Sequence, residues 1–115
     1  MARMTPDATP ERAVPDAVAR FQEVCASPTR VVILRFLLRG GRRSYPELRQ
    51  ATEGHMSFQR FHRALGELAE AEYVIDDAPA DATRKPQSTH FWAARERIAA
   101  DYGATAAYLF GGDTL

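Results

Sequence analysis

The sequence predicts a mainly α fold carrying one small β-hairpin, with its elements in the order α-α-β-α-α-β-β-α. Three observations lead there. Apolar residues recur at helical spacing over 14–25, 61–71 and 98–110, and 31–38 is apolar nearly all round. Ser27, Ser44 and Ser57 each stand where a helix would need its first free N–H groups capped. Two short runs, 73–76 and 88–93, carry strand patterning on either side of a loop that holds Pro79 and Pro86.

At 115 residues and 45% hydrophobic, the chain is one domain's worth and buries a modest core. Support from a partner chain fits that size. The expected organisation is a disordered arm over 1–13, rich in Pro, Ala, Thr and charge, a folded domain over 14–110 and a flexible tail over 111–115. No apolar run approaches the ~20 residues of a membrane helix, and the N-terminal stretch holds no signal-peptide segment. Cys25 is the single cysteine, which excludes an internal disulfide and makes a reducing cytoplasm the expected compartment.

Val14, Val18, Phe21 and Cys25 form a stripe at spacings of four, three and four, giving a first helix from Pro15 or Asp16 that suits packing against another subunit. Cys25 on that stripe is expected as a small buried hydrophobe rather than a redox switch. Ser27-Pro28 restarts the chain: Ser caps, and Pro takes the first helical position, where its missing N–H costs nothing. The helix that follows is apolar nearly all round (Val31, Val32, Ile33, Leu34, Phe36, Leu37, Leu38) and belongs in the core. Arg30, Arg35 and Arg39 are expected to emerge on one edge, and Gly40-Gly41 stops the helix. Arg42-Arg43 begin a very short strand. Ser44-x-x-Glu47 is a capping box that opens a short helix through Ala51 with Leu48 inward. A turn over 52–55 leads into the helix at Ser57, where Phe61, Ala64, Leu65, Leu68 and Ala71 make one apolar stripe. The last helix, from Arg95, carries Ile98, Tyr102, Ala106, Leu109 and Phe110, and Gly103 weakens it by about 1 kcal/mol relative to Ala.

The formal net charge of zero conceals a segregation. Residues 30–63 hold eight arginines against Glu47 and Glu53, a net +6 that the remaining residues balance. Such a separation fits a polyanion-facing surface on an acidic body; a solvated arginine-rich face fits the charge equally well. The pattern of helix 57–71 tips the choice. Its apolar stripe leaves Gln59, Arg60, His62 and Arg63 on the opposite side of the first two turns. Two short helices joined by a tight Gly-containing turn make a helix-turn-helix, and the hairpin that follows makes it winged. In that setting Arg bonds guanine and Gln adenine bidentately, each good pair contributing about 1–3 kcal/mol of discrimination. Tyr45, Arg49 and Ser57 stand where phosphates would pass, which positions a protein without specifying sequence. Arg42 and Arg43 fit the same role or plain solvation. Arg84-Lys85 at the wing tip fits minor-groove or phosphate contact, in a field weakened by Asp76, Asp77 and Asp81.

The order of elements resembles the winged helix-turn-helix of the ArsR-like bacterial repressors over roughly residues 14–110. The residues that carry the resemblance are Ser27-Pro28-Thr29-Arg30 with Ile33-Leu34, Ser44-x-x-Glu47-Leu48, and Leu65-x-x-Leu68-x-x-Ala71-x-Tyr73-Val74. MarR-like and other winged-helix groups share much of this pattern. The resemblance implies a homodimer built from the first and last helices, with Val14, Val18, Phe21, Cys25, Ile98, Tyr102 and Leu109 at the seam. It also implies DNA binding, with helix 57–71 in the major groove and the wing over 76–88 on the backbone or in the minor groove. The chain departs from the metal-sensing members. It has Glu47, Leu48 and Arg49 where they carry Cys-x-Cys, and Asp101 without a helical histidine where they carry an Asp/His set. The fold carries over, the metal does not, and the effector stays unassigned.

Gly40-Gly41 is a helix stop rather than a phosphate loop, and neither a nucleophile elbow nor a zinc-protease pair occurs, so no enzyme and no cofactor is expected. His55, His62 and His90 lack ligand-like spacing. Glu67, Glu70 and Glu72 read as a solvated run. Phe91, Trp92, Tyr102, Tyr108 and Phe110 read as core and dimer contacts rather than the walls of a small-molecule pocket. The leading expectation is a cytoplasmic, homodimeric DNA-binding transcriptional regulator, most simply a repressor on a pseudo-palindrome. Its rivals are a winged-helix protein-interaction module and a phage or mobile-element DNA-binding accessory factor.

Overall fold

In the computed structural model, which describes residues 14–81 and 88–111, five helices and three short strands follow in the predicted order. The expected arm over 1–13, the wing-tip pair Arg84-Lys85 and the tail beyond Gly111 lie outside the described residues. The elements are α1 (Asp16–Cys25), α2 (Pro28–Gly40), β1 (Arg43–Ser44), α3 (Tyr45–Thr52), α4 (Phe58–Glu70), β2 (Val74–Asp76), β3 (His90–Ala93) and α5 (Arg95–Phe110). No helix among them is long and apolar enough to cross a membrane.

Each predicted serine cap forms. The hydroxyls of Ser27 and Ser57 accept the N–H groups of Arg30 at 3.3 Å and Arg60 at 3.2 Å. Ser44 and Glu47 complete their capping box, the Ser44 N–H donating to Glu47 Oε1 at 2.8 Å and the Glu47 N–H to Ser44 Oγ at 3.2 Å. The Ser44 N–H, with the Ser44 side chain adding, holds the exposed Glu47 carboxyl below its ordinary pKa. Gly41 stops α2 at φ 76°, a left-handed value that only Gly adopts cheaply. The corresponding exit from α4 has no glycine: Glu72 itself takes φ 62°.

The three strands form one antiparallel sheet in the order β1-β3-β2. Val74 faces Ala93, Ile75 faces Trp92 and Asp76 faces Phe91 across the wing. Ile33 and Leu37 of α2, Leu48 of α3, Phe61 and Leu68 of α4, and Tyr73 all have zero exposure and form the centre of the core. This is the apolar set that the helical periods mark.

Two expectations about α1 and α2 are corrected. Val24 takes the core position at the end of α1, 2% exposed, and Cys25 is exposed. Adjacent helical residues point about 100° apart, so seating the branched Val24 turns the thiol outward. Arg30 does not share an open edge with Arg35 and Arg39. Its side chain is 12% exposed and bonds Glu67 Oε1 at 2.7 Å, the Val24 carbonyl at 3.1 Å and the Glu23 carbonyl at 2.5 Å. Glu67 is thereby a strut between α2 and α4, not part of a solvated run.

The terminal helices pack on each other through a polar centre. Asp101 of α5, 3% exposed, accepts two hydrogen bonds from the Arg20 guanidinium, at 2.7 and 3.0 Å, and one from the Tyr73 hydroxyl at 2.7 Å. Burial and then the Asp101 bond push the Tyr73 phenol pKa up. Tyr73 is also held by its backbone: its N–H donates to the Leu68 carbonyl and its carbonyl accepts from Ala94 N–H. One residue thus joins the end of α4, the start of α5 and the α1–α5 junction.

Candidate nucleic-acid interface

α4 is a helix with two unlike faces. Phe61, Ala64, Leu65 and Leu68 are buried, while Ser57, Gln59, Arg60, His62 and Arg63 are all exposed. The side chains of Gln59, Arg60 and Arg63 make no hydrogen bond or ion pair with the described residues. Three long polar arms therefore stand out from the first two turns of a helix whose inner face is fixed by the core. Ser57 spends its hydroxyl on the cap, and the positive end of the helix dipole lies beside it.

Of the other residues expected to touch nucleic acid, those among the described residues are engaged within the chain. His62 is oriented on two sides: its Nδ1 lies 3.3 Å from the Tyr45 hydroxyl, and its ring stacks on Phe58 at 6.0 Å and 19°. Tyr45 is wedged edge-on against Phe61 at 5.3 Å, and burial pushes its phenol pKa up against the opposing charge of Arg49. Arg49 donates to the Met56 carbonyl at 3.2 Å and lies within 6 Å of both Phe58 and Phe61 rings, bracing the turn of the helix-turn-helix. Arg42 covers the Trp92 ring at 4.0 Å and approaches Asp77 at 3.6 Å. Arg43 packs against Gly40, where an added Cβ would collide with its guanidinium. At the base of the wing, Asp77 accepts the His90 N–H at 2.8 Å, and that bond lowers its carboxyl pKa.

Sequence reasoning passed over Phe58. It opens α4 at a spacing of three from Phe61 and is nonetheless 53% exposed, placing an aromatic surface beside Gln59 and His62. Spacing alone marks it as one more residue of the apolar stripe, so no local signal set it apart.

Of the residues expected at a dimer seam, Val18 is fully buried in its own chain, and Val14 and Ile98 are half-buried. Phe21 meets Tyr102 at 5.7 Å, and Cys25 is exposed. The open apolar area lies on α5, where Tyr102 is 63%, Leu109 65% and Phe110 73% exposed. Among the described residues no three His, Cys, Asp or Glu side chains converge as a metal site would need.

No family model matches the sequence, and no curated protein does. Among solved structures, the chain is similar to a crystal structure of an ArsR family transcriptional regulator, with a TM-score of 0.64 and 17% identity over 89% of this chain and 96% of that one. At that identity the likeness shows the fold, a winged helix-turn-helix.

Proposed function

We propose, taking the winged helix-turn-helix as the premise, that this chain is a sequence-specific DNA-binding transcriptional regulator that places α4 in the major groove. The observation that carries the reading is the outer face of α4. Gln59, Arg60 and Arg63 are exposed without partners among the described residues, and they are side chains whose donors and acceptors match base edges. Tyr45 and Phe58 hold His62 at the same face. The reading includes a homodimer seated on the open apolar side of α5, so that two copies of α4 meet half-sites about one DNA turn apart, and a repressor that occludes its own promoter.

The test is binding to the DNA upstream of the protein's own gene, titrated across salt with unrelated DNA as competitor. Binding should resist competitor, and log affinity should fall with log salt at about −0.9 per phosphate neutralised. Arg60→Ala and Arg63→Ala should each weaken specific binding by about 1–3 kcal/mol with an unchanged melting curve. A flat salt response, or wild-type affinity in both variants, sinks the reading and leaves the arginine-rich face as a surface for protein contact.

A further inference from the structure

We infer that the outer face of the wing sheet is a binding site for an aromatic monocarboxylate. A groove of about 820 Å³ lies between that face, the ends of α2 and α4, and the first turn of α5, a size ordinary for small-molecule sites. Its floor is apolar where the solvent side of an antiparallel sheet is normally polar. Ile75 and Trp92 stand opposite each other in register and share this face, with Ile75 42% exposed and Trp92 half-buried.

Charge at the rim selects the head group. Arg42, Arg95 and Arg97 line the groove with Glu72 and Glu96, and Asp77 pairs with Arg42 from outside the lining, so the lining itself offers three guanidiniums against two carboxylates and suits a monoanion. Two of the guanidiniums are held loosely. Arg42 lies 3.6 Å from Asp77 and Arg97 3.5 Å from Glu72, with every one of these side chains more than a third exposed, so an incoming carboxylate can exchange with either partner. The 16-residue helix α5 starts at the rim without a side-chain cap, adding the positive end of its dipole. Arg42 already covers Trp92 at 4.0 Å. A flat ring extends that stack over Ile75, while its carboxylate meets Arg97 and the first turn of α5.

The site does not depend on the DNA reading and is tested without DNA. Trp92 is the only tryptophan, so its indole N–H gives one resolved peak in a 15N correlation spectrum of the full chain. The probe is 2-naphthylacetate, with 2-naphthylacetamide as an uncharged match of the same shape. The carboxylate should shift the indole peak saturably, with the amide at least tenfold weaker. Arg97→Gln should bring the carboxylate to the level of the amide, and Ile75→Glu, at an exposed position, should abolish the shift of both. The absence of a saturable shift overturns the site, as does full wild-type response in both variants. Equal affinity for acid and amide overturns the assigned charge, and tighter binding of 2-naphthyl phosphate overturns the monoanion.

Discussion

Asp101→Asn keeps the outline of the side chain and removes its charge, which makes it a clean probe of the junction between the terminal helices. The wild-type carboxylate accepts two bonds from Arg20, at 2.7 and 3.0 Å, and one from Tyr73 at 2.7 Å. Asn can still accept from Tyr73, but its amide N–H₂ then faces the Arg20 guanidinium, donor against donor. A hydrogen bond to a charged group contributes about 1.5–3 kcal/mol, and Arg20, whose side chain is 29% exposed, recovers part of its loss from water. The net cost should be about 2–3 kcal/mol at neutral pH, or a fall of roughly 8–12 °C in Tm for a chain of this length. Urea unfolding followed by circular dichroism measures it. The pH dependence gives a second reading. Hydrogen bonding from Arg20, with Tyr73 adding and burial opposing, holds the Asp101 carboxyl below its ordinary range. A lowered folded-state pKa contributes stability above the unfolded value of about 3.9 and loses it as pH falls through the folded value. The gap between wild type and variant should therefore be full at pH 7 and close as pH drops below about 4. A cost under about 0.5 kcal/mol at pH 7, or a gap that stays constant on acidification, refutes the account.

Ser57→Ala removes the cap of α4 and should cost about 1 kcal/mol in urea unfolding. Arg30→Met strips the strut between α2 and α4 and strands the carbonyls of Glu23 and Val24; a loss of about 1–3 kcal/mol is expected, against changes within about 0.5 kcal/mol for the exposed Arg35→Met and Arg39→Met. Glu72→Gly relieves the left-handed backbone at φ 62° and should raise stability by about 0.5–1 kcal/mol, read as a higher urea midpoint. If the proposed homodimer forms on α5, Leu109→Asp, at a 65% exposed site, should leave the fold of the protomer intact by circular dichroism and move sedimentation from dimer to monomer.

What was legible in the sequence was local. Ser27, Ser44 and Ser57 act on N–H groups within three residues, and the stripe from Phe61 to Leu68 is a property of one helix, so caps, helix limits and the two faces of α4 could be read directly. What escaped depends on distant partners. Arg20 and Asp101 are 81 residues apart, and Arg30 and Glu67 37 apart; nothing in either neighbourhood marks a charge as internal. The choice of Val24 over Cys25 was set by the packing of α1 at the helix junction, which spacing alone does not resolve. In the candidate site the periodic argument found the outward arms Gln59, Arg60 and Arg63. It could not tell them from Arg42, which lies over the Trp92 ring, from Arg43, which packs against Gly40, or from Arg49, which meets the Met56 carbonyl and two phenylalanine rings.

The attachment of Tyr73 gives α4 the mechanics of a lever. Its heel is tied to α5 through the Tyr73 hydroxyl on Asp101 and the Ala94 N–H on the Tyr73 carbonyl, and to α1 through Arg20 on the same Asp101, while the outer side of its toe, at Gln59, Arg60 and Arg63, points into solvent. Thirteen residues separate the two ends, about 20 Å at 1.5 Å per residue. A tilt of about 5° at the heel therefore sweeps the toe through nearly 2 Å at that helical rise, more than the tolerance of a hydrogen bond. A small rotation of α1 against α5 would thus be amplified at the far end of α4, where Gln59, Arg60 and Arg63 stand.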